Sequence, residues 1–435
     1  MSARRAALQV LDATLSGQAT LDRAFERAVG GYRLLGPDRA FARALAAVTL
    51  RRLGEIDARL KPILKRPLPR KALTAQNILR LGAAQLLFLK TPAHAAVGET
   101  TALATGHSAT YRGLTNAVLR RLSESASDEP ASDQSDASDA PTAARLNTPG
   151  WLWESWRAAY GAEAAAAIAQ AHMAEPPLDF TILSGDTATW AERLEGAVLP
   201  TGGIRRQGSA RITDLPGYAE GAWAPQDAAA ALPARLFGDV RGKHLIDLCA
   251  APGGKSAQLA AAGARVTAVD HSAARMIRVT ENMARLRLTV NAVIADGRTW
   301  RPDQPADAVL LDAPCSATGT IRRHPDVPWC KSAGSVRALL PIQASLLAAA
   351  AEMTRPGGTL LYVCCSLQPE EGPAQIKAFL ANRSDFARAP ISGAEIPGLP
   401  PEAITPAGDL RTFPSMWPDL GGMDGFYTAR LVRRA

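Results

Sequence analysis

Nowhere in this sequence do eighteen uncharged apolar residues follow one another, so no stretch reads as a membrane span. Met1 to Leu15 sets Arg4, Arg5 and Asp12 in an amphipathic pattern and lacks the continuous apolar core of a signal peptide. Cysteine is scarce: five in 435 residues do not make a disulfide framework. A reducing, cytoplasmic setting is the expectation. The six histidines and five cysteines show no metal-ligand spacing, and the adjacent Cys364 and Cys365 suit a single ion poorly, so no metal is expected.

What is present is enough chain for two or three domains with ample core, of ordinary globular composition. The net charge of +8 is unevenly placed. Residues 1–122 hold 20 Lys and Arg against 7 Asp and Glu, a net of +13, and the remainder holds 29 against 34, a net of −5. A polyanion-docking surface would produce this excess, and so would an Arg-rich solvated helical surface; charge alone does not decide.

Periodicity divides the chain further. Residues 1–122 read as all-helical: Leu8, Leu11 and Leu15 recur at helical spacing, and Ile78 to Leu89 forms a near-continuous apolar run stopped by Pro92. Residues 123–147 read as a flexible linker, because Ser123 to Ala144 is built from Ser, Asp, Ala, Glu and Pro almost throughout and has too little apolar surface to repay ordering. Residues 148–230 begin Trp-rich (Trp151, Trp153, Trp156), continue through an Ala-rich helix, and reach a strand at Leu178 to Leu183, which predicts a small α+β subdomain. From 231 to 435, strands alternate with helices. The predicted strands are His244–Leu248, Arg265–Val269, Val290–Ala295, Ala308–Leu311 and Thr359–Val363, with a closing antiparallel strand in Gly425 to Val432; the helices include Ala273–Leu286 and Val336–Met353. That alternation predicts a Rossmann-like, doubly wound, mostly parallel α/β sheet.

Such sheets bind ligands at the carboxyl ends of their strands. The loop after the first strand, Cys249-Ala250-Ala251-Pro252-Gly253-Gly254-Lys255, lacks both the G-x-G-x-x-G dinucleotide fingerprint and the G-x-x-x-x-G-K-[ST] phosphate loop. Its Pro-Gly-Gly turn lets the backbone approach a ligand, and the helix behind it favours a carboxylate. Asp270 ends the second strand, where it can accept from ribose hydroxyls; Asp296 ends the third, toward an adenine amino group; Asp312 ends the fourth. With no pyrophosphate cradle, S-adenosylmethionine is the expected cofactor rather than NAD.

Two thiols follow two of these strands. Cys315 lies in Asp312-Ala313-Pro314-Cys315-Ser316 and Cys365 in Tyr362-Val363-Cys364-Cys365-Ser366. A thiolate adding to C6 of a cytosine pushes electron density to C5, which can then accept a methyl group; a base then removes the C5 proton so that the thiolate leaves. Cys365, Cys315 and Asp312 supply a nucleophile, a group to assist elimination and a hydrogen-bonding acid. Cys249, Cys330 and Cys364 read as small core residues. Arg322 and Arg323, in Arg322-Arg323-His324-Pro325-Asp326, are expected to hold RNA phosphates, and His324 to make loop hydrogen bonds.

At these motifs, closed by Gly422-Met423-Asp424-Gly425-Phe426, residues 225–435 resemble the RNA cytosine-5 methyltransferase family. The resemblance implies methyl transfer from S-adenosylmethionine to cytosine C5 in RNA, with Cys365 as nucleophile, Cys315 aiding product release, and the 249–255 loop, Asp270, Asp296 and Asp312 at cofactor and active-site positions. Leu79 to Phe88, Pro92, Glu99 and Gly113 to Arg120 resemble the NusB family of helical RNA binders. The pairing resembles the bacterial 16S ribosomal RNA methyltransferases of the Fmu/Sun type and implies 16S ribosomal RNA as partner and a monomeric enzyme. Transfer RNA methylation and a non-catalytic assembly factor are the alternatives, and Cys315 is the alternative nucleophile. The chain departs from the family pattern in four places: Cys364 stands for a usual Thr, Ala317 for Gly, Ser256 for Thr, and Ala228 where Glu is common.

Overall fold

The computed structural model describes residues 1–128, 140–208 and 210–435, in two compact units. The first joins Met1–Ala174 to Ile321–Ser332; the second joins Glu175–Thr320 to Ala333–Ala435.

The first unit is helical throughout its described residues. Its central helix, Leu73–Leu87, buries Ile78, Leu79, Leu81, Ala83 and Ala84 among the other helices. Polar residues inside it are paired: Asn77 donates to Asp12 (2.8 Å) and Gln85 to Thr100 (2.8 Å), while Arg4 donates back to Gln85 (2.7 Å). Helices occupy both ends of the expected linker, at Arg112–Asp128 and Ala140–Leu146; its middle, 129–139, lies outside the described residues. The Ser- and Asp-rich composition hid this, because the apolar positions Val118, Leu119 and Leu122 just before it anchor the first of these helices.

The expected 148–230 subdomain is divided. Helix Gly150–Ala171 belongs to the first unit, where Trp156 is fully buried. The rest belongs to the second, as a four-stranded antiparallel sheet in the order Ala197–Val198, Ile204–Arg206, Leu178–Ile182, Trp223–Pro225. Phe180, Trp190 and Trp223 form its core. The buried Arg205 meets Asp179 at 2.6 Å and also donates to the carbonyls of Leu420 and Gly422. Both partners are satisfied, the condition under which a buried pair is tolerated.

Segment Ile321–Ser332 is seated in the first unit by specific bonds. Asp326 accepts the Leu21 N–H (3.0 Å) at the start of helix Leu21–Tyr32, an anion at a helix amino terminus. Trp329 donates its indole N–H to the Leu50 carbonyl (2.8 Å).

The second unit contains an eight-stranded sheet: β1 His244–Leu248, β2 Arg265–Asp270, β3 Asn291–Ile294, β4 Ala306–Asp312, β5 Thr354–Cys364, β6 Phe386–Arg388, β7 Leu410–Arg411 and β8 Tyr427–Arg433. The order is β6-β8-β5-β4-β1-β2-β3, with β7 paired to β8. Strands β1 to β5 are parallel and β8 runs antiparallel to β5. This is the doubly wound, Rossmann-like sheet expected. The order reverses between β1 and β4, which puts a crevice at their carboxyl ends. Among the described residues one helix, Ala333–Met353, is long and apolar enough to cross a membrane. Here it buries Leu346, Leu347, Ala350 and Met353 in the core that includes β4 and β5.

Candidate active site

Strand geometry decides which thiols share the crevice. In β5 successive side chains face opposite sides. Cys364, the last residue of β5, is fully buried; its thiol donates to the Glu371 carbonyl (3.3 Å), and burial pushes its pKa well up. Cys365, one residue on, is only partly buried. Strands β4 and β5 pair in register, Asp312 opposite Val363, so the two motifs leave the sheet side by side. Cys315 Sγ and Cys365 Sγ lie 3.3 Å apart.

The two thiols are not equivalent. The hydrogen bond with Cys365 raises the Cys315 pKa well above the usual thiol range, with further upward pushes from burial and from the charges of Cys365 and Glu371. Lys255 meets Asp312 at 2.7 Å and lies under the Phe426 ring, 5.4 Å from its centroid. Burial works against the Lys255 ammonium, but the charge of Asp312 and its hydrogen bond outweigh it and the net pKa is raised. A cation is therefore held beside the thiol pair, a setting that favours a thiolate.

The loop between β1 and the next helix is shaped for close approach. Gly253 has φ +99°, and a Cβ there would meet Met283 at 3.1 Å and Val279 at 3.3 Å. Helix Gly254–Ala261 starts with no side-chain cap, leaving its first N–H groups directed at the turn. This uncapped turn fits a carboxylate-bearing cofactor. Beneath it, Asp270 is fully buried; it accepts from the N–H groups of Ala251 (3.3 Å) and Ser272 (3.0 Å) and faces Arg275 at 3.3 Å. It braces the loop here rather than standing open to the crevice. Asp296 is half-exposed and chelated by Arg298 (2.6 Å), whose hydrogen bonds hold its pKa down to about 2. Cys249 is largely buried, and burial pushes its thiol up to about 12. Asp247, fully buried, accepts from Ser256 (2.5 Å), while its other oxygen has no partner; burial raises its pKa to about 7.

Other expected residues lie elsewhere. Arg322 is fully buried in the first unit, where its carbonyl accepts from Arg51 (2.9 Å). In that position its guanidinium is not open to an RNA phosphate. A run of basic residues in sequence does not reveal which of them a core will enclose. Arg323 is partly exposed, and His324 lies 3.5 Å from Asp22. Cys330 donates to the Thr14 carbonyl (3.2 Å), also in the first unit.

Glu371 is the residue that sequence reasoning missed. It is fully buried and binds the serines that directly follow both cysteines, Ser316 and Ser366. The paired Cys-Ser steps with a nearby Pro369-Glu370-Glu371 were the available signal.

Ala317 has φ +61°, in the left-handed region. An alanine there costs about 1 kcal/mol that glycine avoids. Ala317→Gly is expected to raise stability by about 0.5–1 kcal/mol, read as a higher urea midpoint at unchanged slope. A lower midpoint would mean that packing of the methyl group outweighs the strain.

Two family models match separate stretches of the chain. Residues 236–432 match the model of the family described as 16S rRNA methyltransferase RsmB/F, and residues 1–124 match the NusB family. The Ribosomal RNA small subunit methyltransferase B of Cronobacter sakazakii is 32% identical over 418 residues, 93% of this chain and 92% of that one. Its counterpart from Salmonella typhi is 34% identical over 412 residues, 91% of each chain. Among solved structures, the crystal structure of PH0851 aligns over 98% of both chains with a TM-score of 0.75 at 21% identity. NSun6 from Pyrococcus horikoshii, solved with SFG, covers 66% of this chain and 98% of its own with a TM-score of 0.57 at 19% identity. At these identities the two structures support the fold alone.

Proposed function

Because this chain belongs to the 16S rRNA methyltransferase RsmB/F family, with a NusB-family region at its amino terminus, we propose that it methylates C5 of a cytosine in 16S ribosomal RNA through a covalent cysteine adduct. It is an S-adenosylmethionine-dependent RNA methyltransferase. The observation that carries the covalent reading is the 3.3 Å approach of Cys315 and Cys365 beside the Lys255–Asp312 pair.

S-adenosylmethionine, when bound, supplies an electrophilic methyl group. The uncapped turn 249–254 would receive its carboxylate, and Asp296 offers the exposed acceptor among the strand-end acids. The Cys315 and Cys365 sulfurs share a hydrogen bond that raises the Cys315 pKa, and the Lys255 ammonium beside them is placed to stabilise negative charge on the pair. Cys365 then adds to cytosine C6, and C5 becomes the carbon nucleophile. Asp312 is the acid placed to bond the pyrimidine edge while it remains paired to Lys255.

The NusB-like region contributes charge for RNA. Lys61, Lys65, Arg66, Arg70 and Lys71 are all exposed, with no acidic residue between 61 and 71. RNA binding through such a surface weakens steeply with salt.

The test is transfer of labelled methyl to unmodified 16S RNA and to transfer RNA, with the product base identified. Label in 5-methylcytosine of 16S RNA is the expected result. Label confined to transfer RNA would leave the chemistry standing and overturn the substrate. No label in either, with cofactor and RNA both bound, would favour an assembly factor.

A further inference from the structure

We infer that Glu371 is a positioning residue that clamps the two cysteine loops together and keeps the thiols in their distinct roles. This inference rests on the covalent reading above. All the groups concerned lie in the second unit.

The carboxylate is fully buried and surrounded by donors. One oxygen accepts from the Ser316 N–H (2.8 Å) and from Gln343 Nε2 (3.0 Å). The other accepts from the hydroxyls of Ser316 (2.5 Å) and Ser366 (2.6 Å). Four donors match the capacity of a carboxylate, which accepts only. Ser316 follows Cys315 and Ser366 follows Cys365, so one side chain ties together the residues after both thiols.

The rest of the network closes around the same points. Gln343 also donates to the Pro314 carbonyl (2.9 Å), which brackets Cys315 from its other side. Thr318 and Ser366 hydroxyls meet at 3.1 Å, and Thr318 accepts the Leu367 N–H (3.0 Å). Gly319 donates to the Cys365 carbonyl (3.0 Å), and Arg411 donates to the Ser366 carbonyl (2.6 Å). Ser316, Thr318, Gln343, Ser366 and Glu371 are all fully buried, where an unmade bond is costly. The hub of that network fixes where both sulfurs can stand.

The buried charge has a second consequence. Glu371 is one of the groups that disfavour a Cys315 thiolate, after the Cys365 hydrogen bond, burial and the charge of Cys365. Other ionisable groups near the pair are Cys364 and Tyr362 from β5, the Lys255–Asp312 pair, and Arg411, whose charge lowers the Cys364 pKa. Removing the Glu371 charge while keeping its shape therefore eases ionisation of Cys315.

The experiment compares wild type, Glu371→Gln, Glu371→Asp, Ser366→Ala and Cys365→Ala in full-length protein. It measures melting, kcat and KM for methyl transfer, and iodoacetamide labelling of each cysteine from pH 6 to 10, located by peptide mass. Glu371→Gln is expected to lower kcat roughly 100-fold, as a misplaced reacting group does, with KM for S-adenosylmethionine within about twofold. Its Cys315 labelling is expected to begin at lower pH. Glu371→Asp retains the charge, so its Cys315 profile should stay near wild type and part of kcat should return.

A Glu371→Gln protein that melts, turns over and labels as wild type does would overturn the clamp. If Glu371→Gln does not fold, Ser366→Ala decides, because it keeps the Glu371 carboxylate and its other three donors while removing the Ser366 hydroxyl and its contacts with Thr318, Ser316 and Gln368; wild-type kcat in that variant also overturns the proposal. Full transfer by Cys365→Ala is a different failure, that of the covalent mechanism, and the labelling profile of Cys315 still judges the clamp.

Discussion

Cys365→Ala is expected to abolish methyl transfer, with kcat reduced by at least about 1,000-fold, and to form no covalent RNA complex. The neighbouring Cys364→Ala is the informative control. Cys364 ends β5 with its sulfur fully buried in the core that holds Leu360 and Tyr362. Its loss removes one buried atom, costing about 1 kcal/mol of stability, and should leave transfer within about twofold of wild type. Cofactor binding, measured by calorimetry, should be unchanged in both variants, since neither lies in the 249–254 turn. A Cys365→Ala enzyme that still transfers methyl, beside an inactive Cys364→Ala, would reverse the assignment made from the motif resemblance and the burial of Cys364.

Much of this is legible in the sequence, and the reason is local. His244–Leu248 and Ala273–Leu286 were delimited from sequence because buried parallel strands and amphipathic helices carry strong periodic signals. β5 begins at Thr354 rather than at the expected Thr359, because Pro356, Gly357 and Gly358 resemble a turn in sequence. Motif order points to Cys315 and Cys365, alternation allows only one of Cys364 and Cys365 to face the crevice, and the structure buries Cys364. Partnership across the chain was not readable. Arg322 is enclosed by helices far away in sequence, Asp270 is drawn beneath the loop by the Ala251 and Ser272 N–H groups, and Glu371 acquires its meaning only when Ser316 and Ser366 come together. Each of these depends on a three-dimensional neighbour that no window of sequence contains.

Cys315→Ala is expected to trap the enzyme on its RNA. On the proposed covalent route the two sulfurs start 3.3 Å apart in one hydrogen bond, and that bond is the largest cause of the raised Cys315 pKa. When Cys365 Sγ bonds to C6 it becomes an uncharged thioether. The largest cause of the raised Cys315 pKa is then removed, leaving burial and the Glu371 charge. Cys315 can release its proton to solvent at this stage, and its thiolate can take the C5 proton after methylation. The C5–H electrons form the C5–C6 double bond, and the C6–S electrons return to Cys365. The starting arrangement is restored, with one proton released per methyl transferred. A base acting at this point contributes about 100-fold or more. In Cys315→Ala, turnover should fall by about that factor, while a methylated RNA–protein complex survives denaturing electrophoresis. The double variant Cys315→Ala, Cys365→Ala should show no such complex. Retention of the complex in Cys365→Ala, with its loss in Cys315→Ala, would exchange the roles of the two thiols. Wild-type turnover by Cys315→Ala without any trapped complex would assign proton removal to another group in the crevice, with Asp312, paired to Lys255 at 2.7 Å, the first carboxylate to examine.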